Sequence, residues 1–365
     1  MKILHITFYL VQGGIERFAV DLCNNLSQNP QNDVHLLTVV NDTQPGNSYF
    51  LNKLSKNVTY HNLKQKSALK FKSIINTYKA IKEINPDIVH IHCSTILGYL
   101  PALFYKKPKY IQTIHNVADK AISFQWLRPI QRWLFKKELI QPVTISKTCH
   151  KTYREFYKLN NGVCITNGIE PALPTPLSNS VKKELDEYRK NDNAPIFLHI
   201  ARCSVEKNQD LLFKTFERLH NNGKKFTLII IGANHEESDF FKNNHNDSIK
   251  FIGTKQNIGD YLTHADFFIL ASLWEGLPLS ILEAMSAGCI TISTPAGGIP
   301  DIIEEGKNGF ISPSFTVNDF YNTIIRAEEK SLTIDKATVI EQYNKGYTMD
   351  ICAENYYKLY NKLLS

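Results

Sequence analysis

Short β-branched runs alternate with helix-length stretches from one end of this chain to the other, and few folds accept such a pattern. The pattern predicts strands at Ile3–Phe8, Val34–Val40, Ile88–His92, Tyr110–Ile114 and Val143–Ser146. A second series follows at Phe197–Ala201, Phe226–Gly232, Ile249–Gly253, Phe267–Leu270 and Cys289–Ser293. Helices are predicted at Gly14–Ser27, Ser67–Ile84, Asn208–Asn221 and Pro278–Ala287. Strands that alternate with helices pair in parallel and are covered on both faces. Between the two series lies Pro171–Ser180, PALPTPLSNS, with three prolines and no charge. The expected fold class is therefore α/β, with two doubly wound, Rossmann-like domains at 1–170 and 195–348 and a linker at 171–194. A chain of 365 residues is long enough for both. Open parallel sheets bind ligands beyond the carboxyl ends of their strands, so two such domains suggest a cleft between them.

Composition narrows the classes. Apolar residues make up 43% and charged residues 21%, close to the globular average, which excludes disordered, collagen-like and coiled-coil chains. The best apolar runs, Phe226–Ile231 and Phe267–Leu270, are strand length and far short of the roughly 20 residues that span a membrane. Met1–Val11 begins like a signal peptide, but His5 and Thr7 interrupt it and Gly13-Gly14 follows, so it reads as a first buried strand. Seven cysteines, an odd count without a C-x-x-C pair, suit a reduced, cytoplasmic setting rather than disulfides or zinc. The net charge of +7 is unevenly spread: residues 1–170 hold 22 Lys/Arg against 10 Asp/Glu, and the remainder holds 20 against 25. The two halves are thus built to meet different partners.

The most informative segment is Ser272–Ile303, SLWEGLPLSILEAMSAGCITISTPAGGIPDII. Pro278 suits the first helical position, where its missing N–H costs nothing, and Gly288 suits the stop. The free N–H groups near Leu279 and Ser280 can then accept an anion. Glu275 lies in the loop before that terminus, and Glu283 lies about 7.5 Å further along the axis. The two carboxylates bracket the anion site and can accept hydrogen bonds from hydroxyls on either side of a diphosphate. Leu279, Ile281, Leu282, Ala284, Met285 and Ala287 make this helix apolar nearly all round, so a carboxylate on it needs a partner.

Glu275 and Glu283, with seven residues between them, resemble the E-x7-E signature of the retaining, GT-B-fold glycosyltransferases of family 4. The resemblance extends over nearly the whole chain. Gly13-Gly14 follows the first strand and opens a helix, where the family's backbone approaches the donor phosphates. Ile200-Ala201-Arg202 and Glu206-Lys207-Asn208 resemble the Arg and Lys pair that grips the diphosphate, Arg by a forked contact and Lys as a point charge. Gly232 and Gly253-Thr254-Lys255 match turns around the nucleotide base, held near Lys255. Asn167-Gly168 matches a structural turn leading to the linker. His115 ends the Tyr110–Ile114 strand, where the family places a histidine near the donor sugar and the departing oxygen. His90 and His92 on the preceding strand leave a plain structural role open for His115. Ser146, at the next strand end, is a further cleft-lining candidate. Two departures stand out: Glu-Gly-Leu-Pro-Leu replaces Glu-Gly-Phe-Gly-Leu, so residue 278 has no N–H to donate, and Asp301 stands where glutamate is usual.

The resemblance implies a GT-B enzyme that moves a hexosyl or N-acetylhexosaminyl group from a nucleotide diphosphate, UDP by family base rate, to a glycan or lipid-linked acceptor. It also implies bacterial capsule, O-antigen or exopolysaccharide assembly, with retention of configuration. The implied catalytic residues are Glu275, His115, Arg202 and Lys207. The implied donor-binding residues are Gly13, Gly14, Arg202, Lys207, Lys255, Leu279, Ser280 and Glu283. No D-x-D triplet occurs, so no metal is expected; the cations and a helix dipole would steady the leaving diphosphate. In this fold the last segment, Met349–Leu364, is a helix that returns to the N-terminal domain, with closure hinged there and at Pro171–Ser180. Two other readings stay open: a nucleotide-sugar-binding protein without transferase activity, and a GT-B-fold epimerase or phosphorylase. The compact glutamate motif speaks against the second, and Arg202, Lys207, Glu275, Glu283 and His115 occurring together speak against the first.

The basic N-terminal half carries its charge in two segments. Lys53–Lys82 contains eight lysines and no acid. Lys120–Lys137 interleaves Phe124, Trp126, Leu127, Trp133 and Phe135 with Arg128, Arg132, Lys136 and Lys137, a combination that suits an anionic membrane surface. The expectation is a cytoplasmic protein, peripheral on the inner face of the plasma membrane. An ordinary helix with core aromatics and a solvated basic face remains the alternative. No nucleic-acid module accompanies the charge, so no nucleic-acid partner is expected.

Overall fold

The structure is a computed structural model that describes the chain apart from residues 45, 69, 94–95, 123, 190–193, 237, 239, 241 and 243–245. Four positions of the expected linker, one of the predicted helix Ser67–Ile84 and one of the 120–137 segment therefore lie outside the described residues. The chain divides into two compact units: Met1–Glu170 with Met349–Ser365, and Pro171–Thr348.

Unit 1 is built on seven strands: β1 (Lys2–Thr7), β2 (Asp33–Val40), β3 (Val58–Gln65), β4 (Ile88–Ile91), β5 (Lys109–Ile114), β6 (Gln141–Thr144) and β7 (Val163–Cys164). They lie in the order β3-β2-β1-β4-β5-β6-β7, and every adjacent pair is parallel. Between them run α1 (Gly14–Leu26), α2 (Phe71–Ile84), α3 (Ile96–Phe104), a single turn α4 (Ala118–Ala121), α5 (Arg128–Lys136) and α6 (Lys147–Tyr157). The inner strands are mostly apolar because both of their faces are covered: Ile3, Leu4, Ile6, Ile88, Val89 and Ile91 are all at or near zero exposure, as are the interrupting His5 and His90. The C-terminal helix, Met349–Leu364, buries Tyr356 and Tyr360 in this unit, and Asn25 of α1 donates to Asp350 at 2.6 Å.

Unit 2 has six parallel strands in the order β10-β9-β8-β11-β12-β13. These are β8 (Ile196–Ile200), β9 (Thr227–Ile231), β10 (Ile249–Phe251), β11 (Phe267–Leu270), β12 (Ile290–Ser293) and β13 (Gly309–Ile311). Its helices are α7 (Ser178–Tyr188), α8 (Gln209–Asn221), α9 (Ile258–His264), α10 (Leu279–Ser286), α11 (Val317–Lys330) and α12 (Lys336–Gly346). Phe197, Phe216, Leu228, Phe267, Ile292 and Phe310 belong to its core. The proline-rich stretch is fastened to this unit: Ala172 N–H donates to Ser286 Oγ at 2.9 Å, and Thr175 donates through its N–H and its hydroxyl to Asp260.

In each sheet the strand order reverses once, between β1 and β4 and between β8 and β11. At such a switch point the flanking loops leave in opposite directions and open a crevice at the carboxyl edge. Both candidate regions lie there.

Candidate functional site

In unit 2 the turn after β8 carries Arg202 and Lys207, and the loop after β11 carries Glu275. Lys207 Nζ lies 2.6 Å from Glu275 Oε1, and the Ser272 hydroxyl donates to the same oxygen at 2.7 Å. Glu275 is only 9% exposed, so its charge sits in a poorly hydrated place and is balanced by that lysine. The two loops are also joined through their backbones, since Leu273 N–H donates to Glu206 O at 2.9 Å. Arg202 pairs instead with Glu206, Nη2 to Oε1 at 2.9 Å, and its side chain is 59% exposed. Burial works against the Glu206 charge, but the Arg202 hydrogen bond helps hold that carboxyl below its ordinary value. Each expected phosphate-binding cation thus has a carboxylate beside it.

A buried polar strut supports the Arg202 turn. His199 Nδ1 lies 2.9 Å from Ile269 O, Gln209 Nε2 lies 3.4 Å from His199 Nε2, and Gln209 Nε2 also donates to Arg202 O at 2.9 Å. Desolvation pushes His199 down to about 4, so at neutral pH it is a neutral ring joining the Ile269 carbonyl to the Gln209 amide. Gly232 makes room for the same turn: a Cβ there would lie 1.9 Å from Ala201 O.

Pro278 caps α10 from the extended region, with φ −70° and ψ 120°, and the helix begins at Leu279. The proline is therefore one position earlier than the sequence predicts, which makes Leu279 and Ser280 the first two helical residues. No side chain caps them, and both are partly exposed. Glu283, 7% exposed, lies one turn further on. The helix ends as its glycine demands, with Gly288 at φ +71° and Cys289 N–H donating to Ala284 O at 2.8 Å. Gly297 reaches back to the Glu275 loop, where a Cβ would lie 1.7 Å from Glu275 O. Gly298 N–H donates to Gly276 O at 2.9 Å, which fixes the same loop from the other side. Lys255 lies over the Tyr261 ring at 5.7 Å, just past the β10 turn, where Gly232 N–H donates to Gly253 O at 3.0 Å.

In unit 1 a pocket of about 280 Å³ opens at the β1/β4 switch point. Thr7, Phe8 and Tyr9 line it at and beyond the end of β1, His92 and Cys93 just after β4, and Ile114, His115 and Asn116 at and beyond the end of β5. Ile15 and Glu16, directly after Gly13-Gly14, line it from α1. Gly13 is the N-cap of α1, and its carbonyl accepts from Arg17 N–H at 3.1 Å. His115 is thus a pocket residue rather than a core histidine. Ser146 is not among the lining residues; its hydroxyl caps α6 by accepting from Cys149 N–H at 3.1 Å.

Behind His115 the strands stack further histidines. His5 is paired in register with His90, and His90 with Ile111, so residues 5, 90, 92, 113 and 115 share one face of the sheet. His5 Nδ1 lies 2.9 Å from His92 Nε2, and His92 Nδ1 lies 3.3 Å from His115 Nε2. The ring nitrogens of His5, His90 and His92 lie within 4.8 Å of one another, a spacing that could hold a metal. However, His90 spends both nitrogens, one on Tyr360 OH and one on Thr113 Oγ1, each at 2.7 Å. Desolvation pushes His5 and His115 down to about 3 and lowers His90 and His92 well below the ordinary value.

The aromatic and basic segment is split by the fold. Leu127, Leu134 and Phe135 are core, and Arg128 and Arg132 donate to the carbonyls of Phe156 and Tyr157 at the end of α6. Phe124, Trp126, Ile130 and Trp133 remain 40–65% exposed. Among the described residues no helix is long and apolar enough to cross a membrane.

Sequence reasoning missed Ser272, Glu206, Gln209 and the His5–His92 contact. The H-x-H at His90-Ile91-His92 signals that those two rings share one face of a strand, but nothing in the sequence brings His5 to them.

Residues 12–173 match the family described as Glycosyltransferase Family 4, and residues 180–346 match Glycosyl transferases group 1. The chain is 24% identical to the UDP-Gal:alpha-D-GlcNAc-diphosphoundecaprenol alpha-1,3-galactosyltransferase of Escherichia coli, covering 92% of this chain and 90% of that protein. Among solved structures it is similar to a glycosyltransferase from Rickettsia africae, with TM-score 0.81, 21% identity and coverage of 100% and 98%. It is also similar to Anabaena Alr3699/HepE in complex with UDP-glucose, with TM-score 0.80, 16% identity and coverage of 99% and 100%. Matched in both units and along their whole length, this chain belongs to the family 4 glycosyltransferases and has their GT-B fold.

Proposed function

We propose that this enzyme transfers a hexosyl or N-acetylhexosaminyl group from UDP to a lipid-linked saccharide in bacterial surface polysaccharide synthesis, with retention and without a metal. The observation that carries this reading is the Lys207–Glu275–Ser272 cluster at the unit 2 switch point, beside the uncapped start of α10. Arg202, Lys207 and the N–H groups of Leu279 and Ser280 take the diphosphate. Glu283 receives the ribose hydroxyls and Glu275 the sugar hydroxyls, with Lys255 at the base. In unit 1, Gly13 and Gly14 offer backbone to the donor, and His115 meets the sugar. Transfer breaks the bond from the anomeric carbon to the diphosphate and forms one to the acceptor oxygen on the same face. The departing phosphate takes the acceptor proton, and cations with helix N–H groups stabilise its charge. Support for UDP comes from the UDP-glucose complex of HepE, and for the acceptor from the substrate in the name of the E. coli relative. The exposed aromatics between Phe124 and Trp133 support peripheral contact with an anionic membrane.

The test is donor turnover across a panel of UDP-, GDP- and TDP-sugars in EDTA, with a diphosphate-linked lipid saccharide as acceptor and mass spectrometry of the product. One UDP-sugar should be consumed and Glu275→Ala should abolish the product. If no donor is consumed, or Glu275→Ala changes nothing, the reading fails.

A further inference from the structure

We infer that His5, His92 and His115 form a one-way hydrogen-bonded file that fixes His115 as its Nδ1–H tautomer, with His92 and His5 as positioning residues. The unit 1 pocket then presents an N–H donor, suited to an acceptor oxygen on the sugar or phosphate of the bound nucleotide sugar. This rests on the reading of His115 as a donor-binding residue.

The argument is one of proton placement. A neutral imidazole has one N–H and one lone pair. Three neutral rings supply three N–H groups, and the two contacts at 2.9 and 3.3 Å consume two of them. Each contact needs one donor and one acceptor, so all three rings must point the same way. In one direction the spare N–H falls on His5 Nε2. That atom is buried and has no hydrogen-bond partner. In the other direction His5 Nε2 keeps only a lone pair, and the spare N–H falls on His115 Nδ1, in a residue that lines the pocket. An orphaned N–H in a dry interior is rarer and more costly than an unused lone pair. The second direction wins: His5 donates to His92, His92 donates to His115, and His115 donates to the pocket.

The surroundings keep this arrangement closed. His90 cannot relieve His5, since both of its nitrogens are held by Tyr360 and Thr113. Phe18 packs its ring against His92 and His115 at centroid distances of 5.9 and 5.3 Å. Burial holds all three rings neutral, which the proton count requires.

Long-range proton–nitrogen correlation spectra of histidine-labelled protein read the tautomer directly, with His115→Gln used only to assign the ring. The wild-type His115 should carry its proton on Nδ1. His5→Leu, which removes the head of the file, should spread the His115 proton over both nitrogens and lower kcat about 10-fold, the worth of roughly one hydrogen bond. His5→Asn, whose amide can donate from the place of Nδ1, should recover most of that loss. An Nε2–H tautomer in the wild type, or an unchanged tautomer in folded His5→Leu, overturns the proposal. If His5→Leu does not fold, the wild-type spectrum alone decides. The spectra need no turnover, so failure of the enzymatic reading and failure of this one are separately visible.

Discussion

Glu275 is held by two donors in a place where water reaches little of it, and its energetics follow from that confinement. Removing Lys207 alone strands a charge, whereas removing both partners leaves no charge to strand. Lys207→Met should therefore cost about 2–3 kcal/mol of stability, and Lys207→Met/Glu275→Gln should cost less than the sum of the single changes. Urea unfolding of the four proteins in the cycle measures this; strict additivity would show that the pair is not coupled. Gly297 offers a second measurement at the same loop. At φ +53° a side chain is strained, and its Cβ would meet a backbone carbonyl that cannot rotate away. Gly306, at φ +73° with open space around it, carries the strain without the collision. Gly297→Ala should lower the melting temperature well beyond Gly306→Ala, with the matched strain of about 1 kcal/mol common to both, and should reduce donor turnover. Equal shifts would mean that the close approach to Glu275 is not a constraint.

Among the secondary-structure elements, burial decides what the sequence could announce. The inner strands β1, β4, β8 and β11 are covered on both faces and show as apolar runs, broken by Thr7 and the buried histidines His5, His90 and His199. The strands that escaped notice, β3, β7 and β13, are all sheet edges. β3 carries Lys64 and alternates polar with half-buried residues, β7 has two residues, and β13 begins with Gly309. The glutamate motif was legible because spacing along one loop and helix is local. The strut under Arg202 was not, because His199, Gln209 and Ile269 meet only through the fold of the sheet. The helix α5 shows the same limit in another form. Its amphipathic pattern was plain, but its arginines cap α6 rather than face solvent, which leaves Trp126, Ile130 and Trp133 as the exposed apolar group. Trp126→Ser/Trp133→Ser should leave the melting temperature within about 0.5 kcal/mol of equivalent stability change and should strongly reduce flotation with anionic vesicles at low salt. Unchanged flotation would remove α5 from the membrane reading.

For the molecule as a whole, acid should be a more severe stress than its ordinary composition suggests. His5, His90, His92 and His115 in unit 1 and His199 in unit 2 all have folded values below the ordinary one near 6.5. As the pH falls below 6.5 the unfolded chain binds protons that the folded chain refuses. Stability is thus complete above that value and declines as the pH falls, down to about 4 for His199 and about 3 for His5 and His115, by up to about 1.4 kcal/mol per pH unit for each histidine. Thermal unfolding from pH 7.5 to 4.5 should show this decline, and His5→Asn should make it shallower. A flat profile would contradict the buried, neutral assignment of these rings.

The C-terminal helix places Tyr356 and Tyr360 beside Thr113 and His90, so the wall of unit 1 is supplied by residues distant in the chain. During synthesis on the ribosome that wall arrives only after all of unit 2. The first 170 residues emerge with their histidine-bearing sheet face uncovered and must wait in that state while all of unit 2 is translated. Unit 2, by contrast, is built from one continuous stretch of chain and holds all of its own elements as soon as residue 348 is made.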